Sequence, residues 1–277
     1  MKNIVNANNQ LLSVSTISNA RELGGYKTLD GKTVRRGKLF RSGALTDATS
    51  EDIAFLKETY RLFAIIDMRA SYETATAPEP KWEGIRSYRC KILDEQLMEQ
   101  RTKPIAHILM DASADPIKKM VALLQSGIVS DRMYAEFLQG QTGKEGYREF
   151  FSILLNTPED AAVLWHCTHG KDRTGVAAML LLGVLSVDEE TIMADFLLTN
   201  AVFEQRLDRM RKRLDAYIDD KNFLEELLVV DRGVCASYMQ NALQYIKEHY
   251  GDITGYVKAE LGLAESDIAK LRFLYTK

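Results

Sequence analysis

Cys167 and Arg173 stand six positions apart in the run His166-Cys167-Thr168-His169-Gly170-Lys171-Asp172-Arg173-Thr174-Gly175. That spacing suits hydrolysis of a phosphate ester. A free cysteine thiol titrates near about 8.5, so only about 3% is thiolate at pH 7; a helix N-terminus and neighbouring cations lower such a value by several units. The five residues between can curl so that their backbone N–H groups converge on one anion. Gly170 permits a backbone conformation that other residues resist. Arg173 carries the planar fork that grips two phosphate oxygens and follows them into the transition state. Thr174 can donate a hydrogen bond to the sulfur and help it leave. The sequence of steps is thiolate attack, a phosphocysteine intermediate and hydrolysis by water. No metal or other cofactor is called for, because the loop itself supplies positive charge.

The elements around the loop are those needed to hold it. Ala161-Ala162-Val163-Leu164-Trp165 reads as a buried strand, and Val176 to Leu185 is apolar around its whole circumference, as in a buried central helix. The loop therefore joins a strand to a helix N-terminus. Leu62-Phe63-Ala64-Ile65-Ile66 reads as a second buried strand ending at Asp67-Met68-Arg69, and ligands bind at such strand ends in open α/β sheets. Ser87 to Leu93 is a further strand candidate. Thr49 to Asp52 can cap a helix, Asp30-Gly31 can turn a β-hairpin, and residues 116–139 and 143–155 read as helices. Residues 1–17 read as an extended arm.

Composition narrows the class. The chain has 277 residues, 46% hydrophobic and 27% charged, enough for one large domain with a real core. A net charge of -3 gives no bulk basic character that would point to nucleic acid. Three cysteines, Cys90, Cys167 and Cys235, are an odd and sparse set, neither a disulfide framework nor a zinc pattern, and suit a reducing compartment. Met1 to Gln10 has no apolar signal-peptide core and no run reaches the length of a membrane span, so a cytoplasmic protein is expected, or a secreted one whose signal peptide has been removed.

The loop resembles that of the cysteine-based protein tyrosine phosphatase superfamily, and within it a bacterial branch typified by mycobacterial and listerial enzymes, in which Lys171 and Asp172 have matching residues. Asn19 to Tyr26, Leu39 to Ser42, Asp67-Met68-Arg69 with Glu73, Phe196 to Asn200 and the stretch from Tyr250 to Arg272 resemble further parts of the same branch. The resemblance covers nearly the whole chain. It implies a single α/β domain over 1–277 with a central, mostly parallel sheet flanked by helices, and a helical lid for which 200–234 is the candidate. It implies a phosphate-binding set of Thr168, His169, Gly170, Lys171, Asp172, Arg173 and Thr174 that holds phosphate or another oxyanion. The implied substrates are phosphotyrosine, with phosphoserine, phosphothreonine and phosphoinositides beside it. Lys171, as a second cation near the anion nest, is the residue connected with phosphoinositides. His169 departs from the pattern, standing where the family has a small residue.

The proton donor to the leaving group is open in the sequence. No Trp-Pro-Asp segment is present; Trp82 lies between Lys81 and Glu83. Asp67, at a strand end, and Asp172, inside the loop, are the two catalytic candidates, with Asp94 behind them. Each also has a plain structural role open to it: Asp67 in an ion pair with an arginine such as Arg69, Asp172 in orienting Lys171 or a loop N–H. Arg21 and Arg41 can reach substrate or brace a loop through carboxylates. The cluster Arg206 to Arg213 can steer anionic lipids or form a solvated helix face. His166 is read as orienting the loop, and Cys90 and Cys235 as packing residues. Two other functions compete with a phosphatase. A sulfurtransferase uses a similar cysteine loop, but Lys171, Asp172 and Thr174 favour phosphate. A phosphate-binding module without catalysis has no need of Cys167, Arg173 and Thr174 together.

Overall fold

Buried apolar strands flanked by helices on both faces build the computed structural model, which describes residues 10–215 and 218–277. Among these residues the strands are β1 (Arg21–Glu22), β2 (Leu39–Ser42), β3 (Leu62–Asp67), β4 (Arg86–Arg89) and β5 (Ala162–His166). They form one sheet in the order β1-β2-β5-β3-β4, with β1–β2 antiparallel and the other three pairings parallel. This is the expected mostly parallel α/β sheet. Every residue of β5 is buried, as a strand covered on both faces must be. Its side chains alternate between two cores. Val163 and Trp165 join Phe150, Phe151 and Tyr147 on one face, whereas Ala162 and Leu164 meet Phe40, Ile53 and Ile65 on the other.

Register brings three strand ends together. His166 at the end of β5 lies opposite Ser42 of β2 on one side and Asp67 of β3 on the other. The chain leaves β5, makes the cysteine loop and enters the helix Asp172–Val184, whose interior is buried all round. Gly170 in this loop has φ +66°, and a Cβ there would lie 2.3 Å from the Ser42 carbonyl. The position thus demands glycine for both its dihedral and its contact with β2.

Other expectations differ in detail. β4 stops at Arg89 rather than Leu93, although the Cys90 N–H still bonds the Asp67 carbonyl at 2.9 Å. Residues 116–139 form two helices, Pro116–Gln125 and Met133–Gln139, separated at Gly127, whose φ of +72° ends the first. Thr49 does cap the helix Ser50–Tyr60, accepting from the Asp52 N–H at 3.2 Å. Asp30-Gly31 does turn a short hairpin, with Lys27 bridged to Thr33. The expected arm over 1–17 lies outside the described residues as far as residue 9.

Within 200–234, the helix Glu189–Val202 runs into the segment, followed by helices Glu204–Asp215 and Lys221–Asp231; residues 216 and 217 lie outside the described residues. Leu207, Leu214, Leu224, Leu227 and Leu228 of the latter two pack with Met120 of Pro116–Gln125 in a small core of their own. No described helix is long and apolar enough to cross a membrane.

Candidate active site

Cys167 is buried at the start of the loop, and Arg173 turns back from the first turn of the helix that follows. Glu73 sets the plane of that guanidinium. Its carboxylate accepts from Arg173 Nη2 at 2.8 Å and from Nη1 through the other oxygen, and also from the Thr168 hydroxyl. Glu73 is itself fixed by the Ala70 N–H, 2.9 Å away, in the short helix Ser71–Thr76 that follows β3. Burial would raise the Glu73 carboxyl, but Arg173, Thr168 and the Ala70 N–H overwhelm it and hold it at about 2. Burial likewise opposes the charge of Arg173, and Glu73 and the nearby Cys167 outweigh it. The sequence reading assigned Glu73 no role; its signal was the fixed step from Arg69.

The loop carbonyls are tied outward. Ala44 N–H donates to the Thr168 carbonyl at 3.2 Å, and the Asn19 amide donates to those of His169 and Gly170 at 3.1 and 3.0 Å. Arg41 Nη2 donates to the Gly170 carbonyl at 2.9 Å and the Lys171 carbonyl at 3.4 Å. In a planar trans peptide the N–H points opposite to the carbonyl. Tying these four carbonyls to the braces therefore turns the N–H groups of residues 169–172 away from them. An anion cradle of backbone donors needs that polarity.

Behind the braces sits Asp195 of the helix Glu189–Val202. It accepts from Arg41 Nη1 at 2.7 Å, Arg21 Nε at 3.2 Å and the Tyr26 hydroxyl at 3.0 Å, all fully buried. Burial opposes its ionisation, but the two arginines hold its carboxyl below the usual range. Arg41 thus braces the loop directly, and Arg21 does so through Asn19, whose Oδ1 accepts from Arg21 Nη1. Asp195 was invisible in the sequence, because nothing in the chain near it marks a partner more than 150 residues away.

The two candidate acids have different surroundings. Asp67 is locked by Arg69: the Arg69 N–H and Nε donate to Oδ1 at 2.9 and 3.0 Å, and Nη2 to Oδ2 at 2.9 Å. Burial raises the Asp67 carboxyl, but His166 and Arg69 bring it below its ordinary value. Asp172 is half-buried in the loop and accepts from the Tyr134 hydroxyl at 2.6 Å. Asp94 is exposed and caps Glu95–Thr102, accepting from the Gln96 and Leu97 N–H groups.

Lys171 does not stand as a free second cation. It is buried, and its ammonium donates to the carbonyls of Val229 and, at 3.1 Å, Gly233, at the C-terminal end of the helix Lys221–Asp231. The negative pole of that helix thus holds the charge. Asp172 Oδ2 is 3.7 Å away. The Thr174 hydroxyl is buried without a hydrogen-bond partner among the described residues, so its expected bond to sulfur is not formed here. His166 is buried, with Nδ1 3.4 Å from the Cys167 carbonyl. Its Nε2 is 3.2 Å from Glu79 Oε2 but off the line of a hydrogen bond. Arg69 sits between Asp67 and Glu79, 2.9 and 3.2 Å from their oxygens. Three arginines of the basic run are paired: Arg206 with Asp231, Arg211 with Asp208 and Glu225, Arg213 with Asp115. Cys90 is buried, which pushes its thiol up to about 12, and Cys235 lies against the Ser237 hydroxyl.

Comparison with known proteins gives the family of the chain. A model of the tyrosine phosphatase family matches residues 12–277. A protein named as a tyrosine-protein phosphatase in Cupriavidus necator is 30% identical over 267 residues, 95% of this chain and 88% of the relative. The triple specificity protein phosphatase of Mycobacterium tuberculosis is 28% identical over 147 residues, covering 50% of this chain and 53% of that one. A tyrosine-protein phosphatase of Nostoc commune is 26% identical over 231 residues, 83% of this chain and 70% of the relative. With a family model spanning the loop, its braces and the helices around them, the chain belongs to the tyrosine phosphatase family.

Proposed function

We propose that this member of the family hydrolyses phosphotyrosine and related phosphate monoesters through a phosphocysteine on Cys167. The supporting observation is the pairing of Arg173 with Glu73 beside a loop whose carbonyls at residues 168–171 are bound on its outer side. In this reading the N–H groups of residues 168–173 and the free edge of Arg173 hold the phosphate. Cys167 attacks phosphorus as the ester P–O bond breaks. Asp172 gives its proton to the departing oxygen, since Asp67 is committed to Arg69 on both oxygens. Water then attacks the phosphocysteine, Asp172 takes back a proton, and phosphate leaves as the P–S bond breaks. The Thr174 hydroxyl, buried and unpartnered, is placed one residue beyond Arg173 to turn toward the departing sulfur.

The helices Glu204–Asp215 and Lys221–Asp231 serve as the lid, with a small core of their own and a link to the loop through Lys171. The M. tuberculosis relative is named for triple specificity, and we extend a range beyond phosphotyrosine to this chain on that basis. Phosphoserine, phosphothreonine and phosphoinositides are the added classes. An active thiolate beside two other free cysteines suits the reducing cytoplasm.

The test is hydrolysis of an aryl phosphate by the purified chain with excess chelator. Turnover is expected, and Cys167→Ser abolishes it. Failure of the wild type to turn over any phosphate monoester overturns the reading; production of thiocyanate from thiosulfate and cyanide would assign the loop to sulfur transfer instead.

A further inference from the structure

A cleft of about 330 Å³ opens directly beside the catalytic loop, with Thr168 and His169 in its wall. Its remaining walls come from the N-terminal segment, including Ser18 and Thr46, and from the lid side, including Phe203, Arg206 and Arg232. Two arginines therefore line a space that borders the loop. They differ in one respect. Arg206 is spent on Asp231, with Nε donating to Oδ2 at 2.8 Å. The Arg232 guanidinium forms no hydrogen bond or ion pair with any described residue, the backbone N–H alone donating, to the Leu228 carbonyl at 3.1 Å; its guanidinium carbon lies 5.9 Å from the Phe203 ring centroid.

Arg232 is half-buried. Burial lowers its pKa with no carboxylate to offset it. A cation withdrawn from water without a partner is costly, and the cost is recovered when an anion binds. The same cleft has a second polar group in this condition: the Thr46 hydroxyl is buried with no hydrogen-bond partner among the described residues. The carboxylate in the wall, Asp47, is exposed.

We propose that Arg232 is a specificity-determining residue, the cation of a second anion subsite that takes a second phosphate carried by the same substrate as the scissile one. This rests on the phosphatase reading above. A second phosphate suits the subsite better than a carboxylate does. Phosphate offers three oxygens, enough for a guanidinium fork and a hydroxyl together, and carries more charge. Because Thr168 and His169 belong to both the loop and the cleft, the two anions sit within the span of one small molecule. Lys171, the residue connected with such substrates in the sequence, is already held by Val229 and Gly233. Arg232 directly follows the helix Lys221–Asp231 whose end holds Lys171, so the subsite is completed from the lid.

The experiment compares phenyl phosphate with the 1,2-, 1,3- and 1,4-phenylene bisphosphates in wild type, Arg232→Gln and Thr46→Val. The wild type is expected to prefer at least one bisphosphate. Arg232→Gln is expected to lower kcat/KM on it by about tenfold through KM, with phenyl phosphate unchanged; Thr46→Val gives a smaller loss on the same compound, and Arg232→Lys recovers part of it. Calorimetry of that bisphosphate on Cys167→Ser with and without Arg232→Gln is expected to show the same tenfold weakening, about 1.4 kcal/mol. Water-soluble short-chain phosphoinositide bisphosphates and the corresponding free inositol phosphates then identify the source of the second phosphate. Equal losses on mono- and bisphosphates, or no preference in the wild type, overturn the proposal. So does a loss confined to phosphotyrosyl peptides with acidic flanks. If the wild type hydrolyses nothing, the phosphatase reading has failed, while the calorimetry still decides the subsite.

Discussion

Glu73 holds Arg173 across 100 positions of sequence, from the helix after β3 to the first turn after the cysteine loop. The two parallel N–H···O bonds fix the guanidinium plane before any substrate arrives. Both partners are largely buried, so removing either leaves the other uncompensated.

Glu73→Gln should therefore lower both activity and acid sensitivity. The folded carboxyl sits at about 2 against 4.5 for the unfolded chain. A depressed carboxyl contributes stability that is fully present above the unfolded value and is lost as pH falls from about 4.5 toward 2. The difference corresponds to roughly 3 kcal/mol. Urea unfolding at neutral pH and near pH 2.5 should show a steeper acid loss in wild type than in Glu73→Gln. Parallel losses would mean that Glu73 is not held this way.

The two aspartates should separate by pH profile. Asp172→Asn is expected to lower kcat by about 10²-fold or more on alkyl phosphates and to remove the descending limb at high pH, which reports the loss of the protonated acid. Asp67→Asn should keep that limb and chiefly cost stability, because Arg69 loses the closer of its two carboxylates. A profile in which Asp67→Asn loses the limb and Asp172→Asn keeps it would reverse the assignment.

Asp195→Ala leaves the buried guanidiniums of Arg21 and Arg41 without their shared carboxylate. A loss of about 3–5 kcal/mol in unfolding free energy is expected. Burial with Arg21 nearby already brings Arg41 down to about 10 even with Asp195 present. By contrast, Asn19→Ala removes two bonds to loop carbonyls and should cost turnover more than stability. A stability loss in Asp195→Ala below about 1 kcal/mol would contradict the bracing role.

Lys171→Met should loosen the helix Lys221–Asp231, since two carbonyls at its end lose their donor. Amide exchange over the carboxy-terminal turn and residues 232–234 is expected to speed up several-fold, with the central helix Asp172–Val184 unaffected. Unchanged exchange would show that the link does not restrain this helix.

These contrasts also mark what the sequence could tell. The strands before Cys167 and Asp67 were legible because a buried parallel sheet writes itself as short apolar runs. The nucleophile, Arg173 and Gly170 were legible because their spacing is set within one loop. The roles of Glu73 and Asp195 were not, since each depends on a partner at least 100 residues away. Lys171 was read from its charge as a substrate contact; its true neighbours are backbone carbonyls, which leave no trace in residue types. The break at Gly127 was missed because the helical pattern resumes after it.

The most direct measurement is acid quench of the wild type during turnover of an aryl phosphate, followed by mass spectrometry of the Cys167 peptide. The account predicts one phosphoryl group on Cys167, none on Cys90 or Cys235, and no turnover in Cys167→Ser. Steady turnover with an unmodified Cys167, or undiminished activity in Cys167→Ser, would contradict it.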